Sequence, residues 1–300
     1  MSPSAPIVPR MIRGIIGLVP VLALSLGQAD QGQVAQFSSG VQLVEVYATV
    51  TDAKGELVTG LRQSDFQVFE NDRPEEISAF AAGEFPLTVA LGVDRSFSMA
   101  GEPLRLAKLA SKRFLGQLKP GDRSMVVAIG NNADVIAPLS SEHEQQARAI
   151  DTLDAWSTTS LNDAVIAALD RLEPEKGRQA LVVFSDGVDR YSKATTGQVI
   201  ARARRSQALV YPITMGRARA PAAVELATLT GGRSFLIRDA KELERTLSTI
   251  ARELRYQYLI GYVPSTPARA GVHDWRSIRV TVKNGANGLR VRARDGYVAR

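Results

Sequence analysis

Leu87-Thr88-Val89-Ala90-Leu91-Gly92-Val93-Asp94-Arg95-Ser96-Phe97-Ser98 joins an apolar run to three oxygen-bearing side chains at alternate positions. An apolar run without polar alternation marks a strand buried on both faces, as in a sheet covered by helices. In the extended segment that follows, residues i, i+2 and i+4 point the same way. Asp94, Ser96 and Ser98 therefore converge on one spot, which makes them candidate metal ligands.

Working outward, further apolar runs at 124–130, 179–185, 208–214 and 233–238 alternate with helical patterns. This predicts an α/β fold with a doubly wound, mostly parallel sheet, and residues 134–138 read as a short antiparallel edge strand. The helix over 103–118 carries Leu104, Ala107, Ser111, Phe114, Leu115 and Leu118 on one stripe, with Pro103 suited to its first turn. Ser141 and Glu144 read as a capping box for the next helix, and Leu161–Leu172 as the one after it. Gly231-Gly232 stops a helix that begins near Pro221, and 241–255 spaces Leu243, Leu247, Ile250 and Leu254 as a last amphipathic helix. In such a sheet ligands sit beyond the carboxyl ends of the strands where the winding reverses, which is where Asp94, Ser96 and Ser98 leave their strand.

On both flanks the pattern changes to period two. Residues 41–51 alternate Tyr47, Thr49 and Thr51 against Val46, Ala48 and Val50, and Asp52-Ala53-Lys54-Gly55 is turn chemistry. Short strands are expected at 56–58, 66–69 and 77–80, and after the α/β block at 256–263, 277–283 and 289–294, with Asn284-Gly285 as a hairpin signal. Neither flank buries a sheet face alone, so segments 30–83 and 256–300 are expected to pair into one smaller, discontinuous β-sandwich-like module beside an α/β domain at 84–255. The alternative is a pair of separate hairpins laid on the main domain.

Three hundred residues with 45% hydrophobic content suffice for one full α/β domain and a smaller unit. The chain has no cysteine, which excludes disulfides, thiolate metal sites and cysteine nucleophiles. Residues 1–29 read as an export signal, with Arg10 and Arg13 before the apolar stretch and cleavage expected after Gly27 or Ala29. The stretch is interrupted by Pro20 and ends at Asp30, short for a spanning helix, so no membrane span is expected once the signal is removed. The expected location is the periplasm or the exterior. A net charge of +6 comes from scattered arginines, and the densest group, Arg202, Arg204, Arg205, Arg217 and Arg219, reads as a solvated face, so no nucleic-acid partner is expected.

Two later fragments complete a pattern: Thr159 in Ser157-Thr158-Thr159-Ser160-Leu161, and Asp186 at the end of Leu181-Val182-Val183-Phe184-Ser185-Asp186-Gly187. With Asp94, Ser96 and Ser98 they resemble the metal-ion-dependent adhesion site of the von Willebrand factor type A domain, DxSxS followed by a threonine and an aspartate. Gly60-Leu61, Asp65 to Asn71, Gly231-Gly232-Arg233 and Tyr258 to Tyr262 extend the resemblance to a bacterial exported subgroup of that family. The resemblance implies an Mg2+ ion, with Mn2+ or Ca2+ as substitutes, bound by Ser96, Ser98 and Thr159 and, largely through water, by Asp94 and Asp186. It further implies an open coordination position for an Asp or Glu carboxylate of another protein, with Arg95, Phe97 and Ser160 as partner-facing residues. Ser157-Thr158 departs from the small pair that commonly precedes the threonine, and Arg95 is a long cation beside the loop.

Asp163 reads as an exposed residue of a first helical turn, and Asp189 as either a supporting acid or a turn residue. No HExxH, GxSxG or GxxxxGK occurs, and His143 and His273 read as surface residues, so the chain is not expected to be an enzyme. The rival readings are a scaffold or chaperone in envelope assembly and an Mg-dependent hydrolase using Asp94.

Overall fold

The structure, a computed structural model, describes residues 43–186, 189–267, 274–283 and 288–299. The export signal at 1–29, Gly187, His273 and the Asn284-Gly285 turn lie outside the described residues. The first flank contributes β1 (Val44–Thr51), β2 (Phe66–Glu70), β3 (Arg73–Glu75) and β4 (Ile77–Ala82). Then come β5 (Leu87–Asp94), α1 (Glu102–Leu115), β6 (Arg123–Ile129), β7 (Ala133–Ser140), α2 (His143–Asp151), α3 (Leu161–Leu172) and β8 (Arg178–Ser185). The block ends with α4 (Thr196–Arg205), β9 (Leu209–Met215), α5 (Pro221–Thr230), β10 (Phe235–Ile237) and α6 (Leu243–Arg255). The second flank adds β11 (Tyr258–Tyr262), β12 (Asp274–Val282), β13 (Arg290–Arg292) and β14 (Gly296–Ala299).

The central sheet has six strands in the order β10-β9-β8-β5-β6-β7, all parallel except β7 at one edge. From β5 the chain winds first through β6 and β7, then returns to β8, β9 and β10 on the other side, so the reversal falls between β5 and β8. Alternate residues serve opposite faces. Val89, Leu91 and Val93 join Phe114 of α1, Ile150 of α2 and Leu247 and Ile250 of α6 in one core. Ala90 with Val127 and Val183 meets Leu169 of α3, Val199 of α4 and Leu226 of α5 in the other. This is the doubly wound α/β fold expected from the sequence. Among the described residues no helix is long and apolar enough to cross a membrane.

Both flanks meet in two four-stranded sheets, β13-β1-β11-β4 and β14-β12-β2-β3. Each mixes the flanks: β1 pairs antiparallel with β11 from Val44↔Tyr262 to Ala48↔Tyr258, and β2 pairs with β12. Val46, Val50, Tyr258 and Ile260 of one sheet share a core with Phe66, Val68, Ile278 and Val280 of the other. The flanks thus form a single β-sandwich rather than separate hairpins. Within its core Glu70 is almost fully buried and accepts hydrogen bonds from Arg276 (2.8 Å), Tyr262 (2.8 Å) and Tyr297 (2.9 Å).

The sandwich joins the α/β block through polar groups at the ends of α5 and α6. Gly231 caps α5 with φ 80°, and a Cβ there would lie 2.6 Å from the carbonyl carbon of Ala293, so only glycine fits. The buried Glu253 of α6 pairs with Arg233 (2.9 Å) and with Arg292 of β13 (2.6 Å). Arg255 pairs with Asp122, and buried Arg178 donates to the carbonyls of Leu254 and Phe85.

Some sequence expectations fail locally. The capping box at Ser141 and Glu144 does not form, because α2 starts at His143 with Glu142 as an uncapped N-cap, while Ser140 Oγ accepts from the Glu142 N–H. Residues 56–58 make only an isolated bridge, Thr51↔Leu57, because the Asp52 carboxylate closes the turn on the Lys54 and Glu56 N–H groups. Arg202 does not lie on a solvated face: it is buried and bonded to Asp170 (2.5 Å) and Glu173 (2.8 Å). β3 has no apolar alternation, and β14, at four residues, is too short to show any.

Candidate functional site

β5 delivers Asp94 to the carboxyl edge of the sheet, where it is completely buried. Val93 pairs with Phe184, so Ser185 stands across from Asp94 and donates its hydroxyl to Oδ2 at 2.6 Å. The Ser96 N–H donates to Oδ1 at 2.8 Å, which folds the chain back over the carboxylate. Ser96 Oγ and Ser98 Oγ then stand 2.9 Å apart, the first buried and the second exposed. Desolvation is the main force on the Asp94 carboxyl and pushes its pKa up; the Asp186 charge pushes the same way, against the Ser185 and Ser96 hydrogen bonds.

The Thr159 loop is docked on this segment. Ser96 and Ser157 form a parallel bridge, and the Phe97 N–H donates to the Ser157 carbonyl at 2.8 Å. Behind it, Ser157 Oγ accepts from the Asn131 N–H (2.7 Å) and donates to Asn131 Oδ1 (3.1 Å). A Cβ on Gly130 would sit 2.6 Å from that Ser157 Oγ, so the residue that departs from a small pair is accommodated by a glycine across from it. The loop after β8 is tied on in turn: the N–H groups of Arg190 and Tyr191 donate to the Thr159 carbonyl at 3.1 and 3.2 Å.

Three loops, after β5, before α3 and after β8, are therefore bound at one rim, the middle one tied to each of the others. Asp94, Ser96 and Ser98 are in direct relation there, Asp186 follows Ser185 and acts on Asp94 through its charge, and Thr159 sits buried in the docked loop. Asp189 accepts from Ser192 N–H (3.1 Å) and from Asn162 N–H at the start of α3 (3.2 Å), so it is a turn residue. Asp163 is not merely a solvated helix-start acid: its two oxygens accept from the Lys193 and Ala194 N–H groups at 2.9 Å each and hold the third loop.

Two of the partner-facing residues expected from the sequence are otherwise engaged. Ser160 is fully buried and donates its hydroxyl to the Asn131 carbonyl (3.0 Å), so it secures the loop and faces no partner. Arg95 is paired with Asp154 (3.0 Å) and Asp134 (3.7 Å), with its guanidinium 5.1 Å from the Trp156 ring centre. Phe97 is 65% exposed. Ser185, Ser157 and Asn131 were missed by sequence reasoning, because only the β5–β8 register and the loop docking bring them to the site; the single available signal was the serine directly before Asp186.

The donor set contains carboxylate and hydroxyl oxygens only, which suits a hard divalent cation. Among the described residues no three His, Cys, Asp or Glu side chains gather as a metal-binding group, so a cation at this rim would depend on hydroxyls. Asp94 fits such a role: its buried carboxylate accepts two hydrogen bonds, and among the described residues no cationic side chain pairs with it.

Residues 89–188 match the von Willebrand factor type A domain family. A UPF0353 protein of Mycobacterium leprae is 26% identical over 220 residues, covering 61% of this chain and 65% of that protein. The chain thus spans slightly less than two thirds of that relative's length. Inter-alpha-trypsin inhibitor heavy chain H4 of Bos taurus is 26% identical over 115 residues, 34% of this chain and 13% of that one. Among solved structures, von Willebrand factor type A from Catenulispora acidiphila superposes with a TM-score of 0.52 at 15% identity, covering 88% of this chain and 75% of its own. Proximal thread matrix protein 1 from the mussel byssus, in a form with a zinc-occupied MIDAS motif, gives 0.53 at 15% identity, covering 63% and 50%.

Proposed function

Because residues 89–188 form a von Willebrand factor type A domain, we propose that this protein is an exported binding module that takes an acidic group of another protein through a divalent cation at the rim site. The observation that carries this reading is the docking of the Thr159 loop on both the Asp94-Ser96-Ser98 segment and the loop after β8. The zinc-occupied motif of the mussel protein supports a divalent ion in this fold.

Ser96, Ser98 and Thr159 would hold the ion by their hydroxyls, with Asp94 and Asp186 supplying negative charge, and Mg2+ is the expected species. When bound, the cation supplies a positive charge and a coordination position suited to a carboxylate. The chain's own residues do the orienting. Ser185 and the Ser96 N–H fix the Asp94 carboxylate, while Ser157 and Asn131 fix the Thr159 loop. Without the ion, Asp94 and Asp186 would repel an acidic partner.

The sequence alone supports export, through residues 1–29. A hydrolase would need a base near the rim. His143 bonds to Ser124 at the far end of β6, roughly 20 Å along the strand from Gly130.

The test is calorimetric titration of Mg2+ into the protein and into Ser96→Ala, Thr159→Ala and Asp186→Ala variants. Each substitution should weaken binding at least about tenfold and leave the unfolding midpoint nearly unchanged, because rim side chains add little core burial. Unaltered Mg2+ affinity in all three rejects the site.

A further inference from the structure

The rim carries a feature that a bare carboxylate receptor does not need. Phe97, Trp156 and Tyr191 are 65%, 55% and 60% exposed, and each belongs to a different one of the three site loops. Phe97 donates its N–H to Ser157, the neighbour of Trp156, and Tyr191 donates its N–H to Thr159. Following those bonds, their Cα atoms lie within about 20 Å of one another. Together they expose roughly 350 Å² of largely apolar surface on three neighbouring loops.

Beside this surface the Arg95 guanidinium, against Trp156, is matched by Asp134 and Asp154. Among the described residues the one cationic side chain in contact with an aromatic of the rim is thus already paired, and the central charge is left to the cation and its ligands.

We propose that the three aromatic side chains form an apolar collar around the cation site, and that the partner is a protein segment presenting an Asp or Glu flanked on both sides by aliphatic residues. This rests on the cation-dependent reading above and adds the partner's chemistry to it. The acid would complete the coordination while its neighbours pack on Phe97, Trp156 and Tyr191, excluding water from the contact. Burying one such side chain corresponds to about tenfold or more in affinity.

The experiment measures fluorescence anisotropy of three labelled nine-residue peptides, alike except for a central Leu-Asp-Leu, Ser-Asp-Ser or Leu-Asn-Leu, with Mg2+ or with EDTA. The expected result is Mg2+-dependent binding of Leu-Asp-Leu at least about tenfold tighter than Ser-Asp-Ser, with Leu-Asn-Leu inactive. A Phe97→Ser/Trp156→Ser/Tyr191→Ser variant should bind both Asp peptides equally while its Mg2+ titration is unchanged. Equal Mg2+-dependent affinities for both Asp peptides in the unaltered protein overturn the collar and leave the cation reading standing. Equal binding of Leu-Asp-Leu and Leu-Asn-Leu in EDTA defeats the cation reading instead. Absence of binding by all three at millimolar concentration, or Mg2+-independent capture by phosphatidylglycerol vesicles that the triple variant loses, also overturns the proposal.

Discussion

Replacing Glu70 by alanine should bring the whole 41–300 unit close to unfolding, although the residue lies on neither face of the central sheet. Glu70 comes from the first flank, while its three partners, Arg276, Tyr262 and Tyr297, come from the second, and both Glu70 and Arg276 are 3% exposed. Truncation strands a buried guanidinium, worth about 3–5 kcal/mol, and leaves two phenol hydroxyls short of an acceptor at about 1–3 kcal/mol each. Arg276 retains the Thr266 (2.5 Å) and Pro267 (2.9 Å) carbonyls, which lowers the sum. The net loss should be about 5 kcal/mol, comparable with the entire stability of many domains. Glu70→Gln keeps an acceptor and lets its amide donate to a tyrosine oxygen, so it should lose only about 2–3 kcal/mol. Removing both charges in Glu70→Leu/Arg276→Leu should regain at least about 2 kcal/mol over Glu70→Ala. Urea unfolding followed by far-UV circular dichroism measures all three. A loss below about 1 kcal/mol for Glu70→Ala, or strict additivity in the double variant, would refute the idea that this cluster joins the two flanks.

Alkaline pH should destabilise the protein. Burial pushes the phenols of Tyr262, Tyr297 and Tyr211 well up and that of Tyr47 up to about 12, so the folded state favours the neutral form. The stabilisation is intact below the unfolded value of about 10 and is lost as pH rises past it, by up to about 1.4 kcal/mol per pH unit per tyrosine. Urea midpoints between pH 9 and 12 should fall, and Tyr262→Phe should flatten the slope. Asp94→Asn should abolish Mg2+ binding yet keep or raise cation-free stability by about 1 kcal/mol. The sign follows from a carboxyl whose pKa is raised on folding: its favourable contribution is complete below its unfolded value and is lost as pH rises through the raised folded value. A thermal midpoint that drops markedly in EDTA contradicts this. Gly130→Ala should cost about 1–3 kcal/mol by driving a methyl into Ser157 Oγ, and should weaken Mg2+ binding; Ser157→Gly in the same chain should recover stability in a thermal melt.

The main sheet was legible because its strands are buried on both faces and so read as continuous apolar runs, and Leu161–Leu172 came out with its observed ends. The oxygen donors were legible for a local reason: Asp94, Ser96 and Ser98 are neighbours in the chain. Their supports were not. Ser185 meets Asp94 only through the β5–β8 register, and Asn131 meets Ser157 only after two loops dock. Arg202 looked like part of a solvated cluster because its partners, Asp170 and Glu173, lie on and just beyond another helix. Short edge strands such as β3, with Arg73, Pro74 and Glu75, carry no periodic signal at all.

The α/β block is an insertion between β4 and β11, which are hydrogen-bonded neighbours, and Ala82 and Tyr258 at their adjoining ends form a pair. A partner tugging on the rim, roughly 23 Å away along β5, would draw both strands in the same direction. Their mutual ladder would then carry little of the pull. Were β1 held from its Val44 end, the load would fall along the β1–β11 register, whose pairs from Val44↔Tyr262 to Ala48↔Tyr258 would be loaded together in shear rather than unzipped one by one.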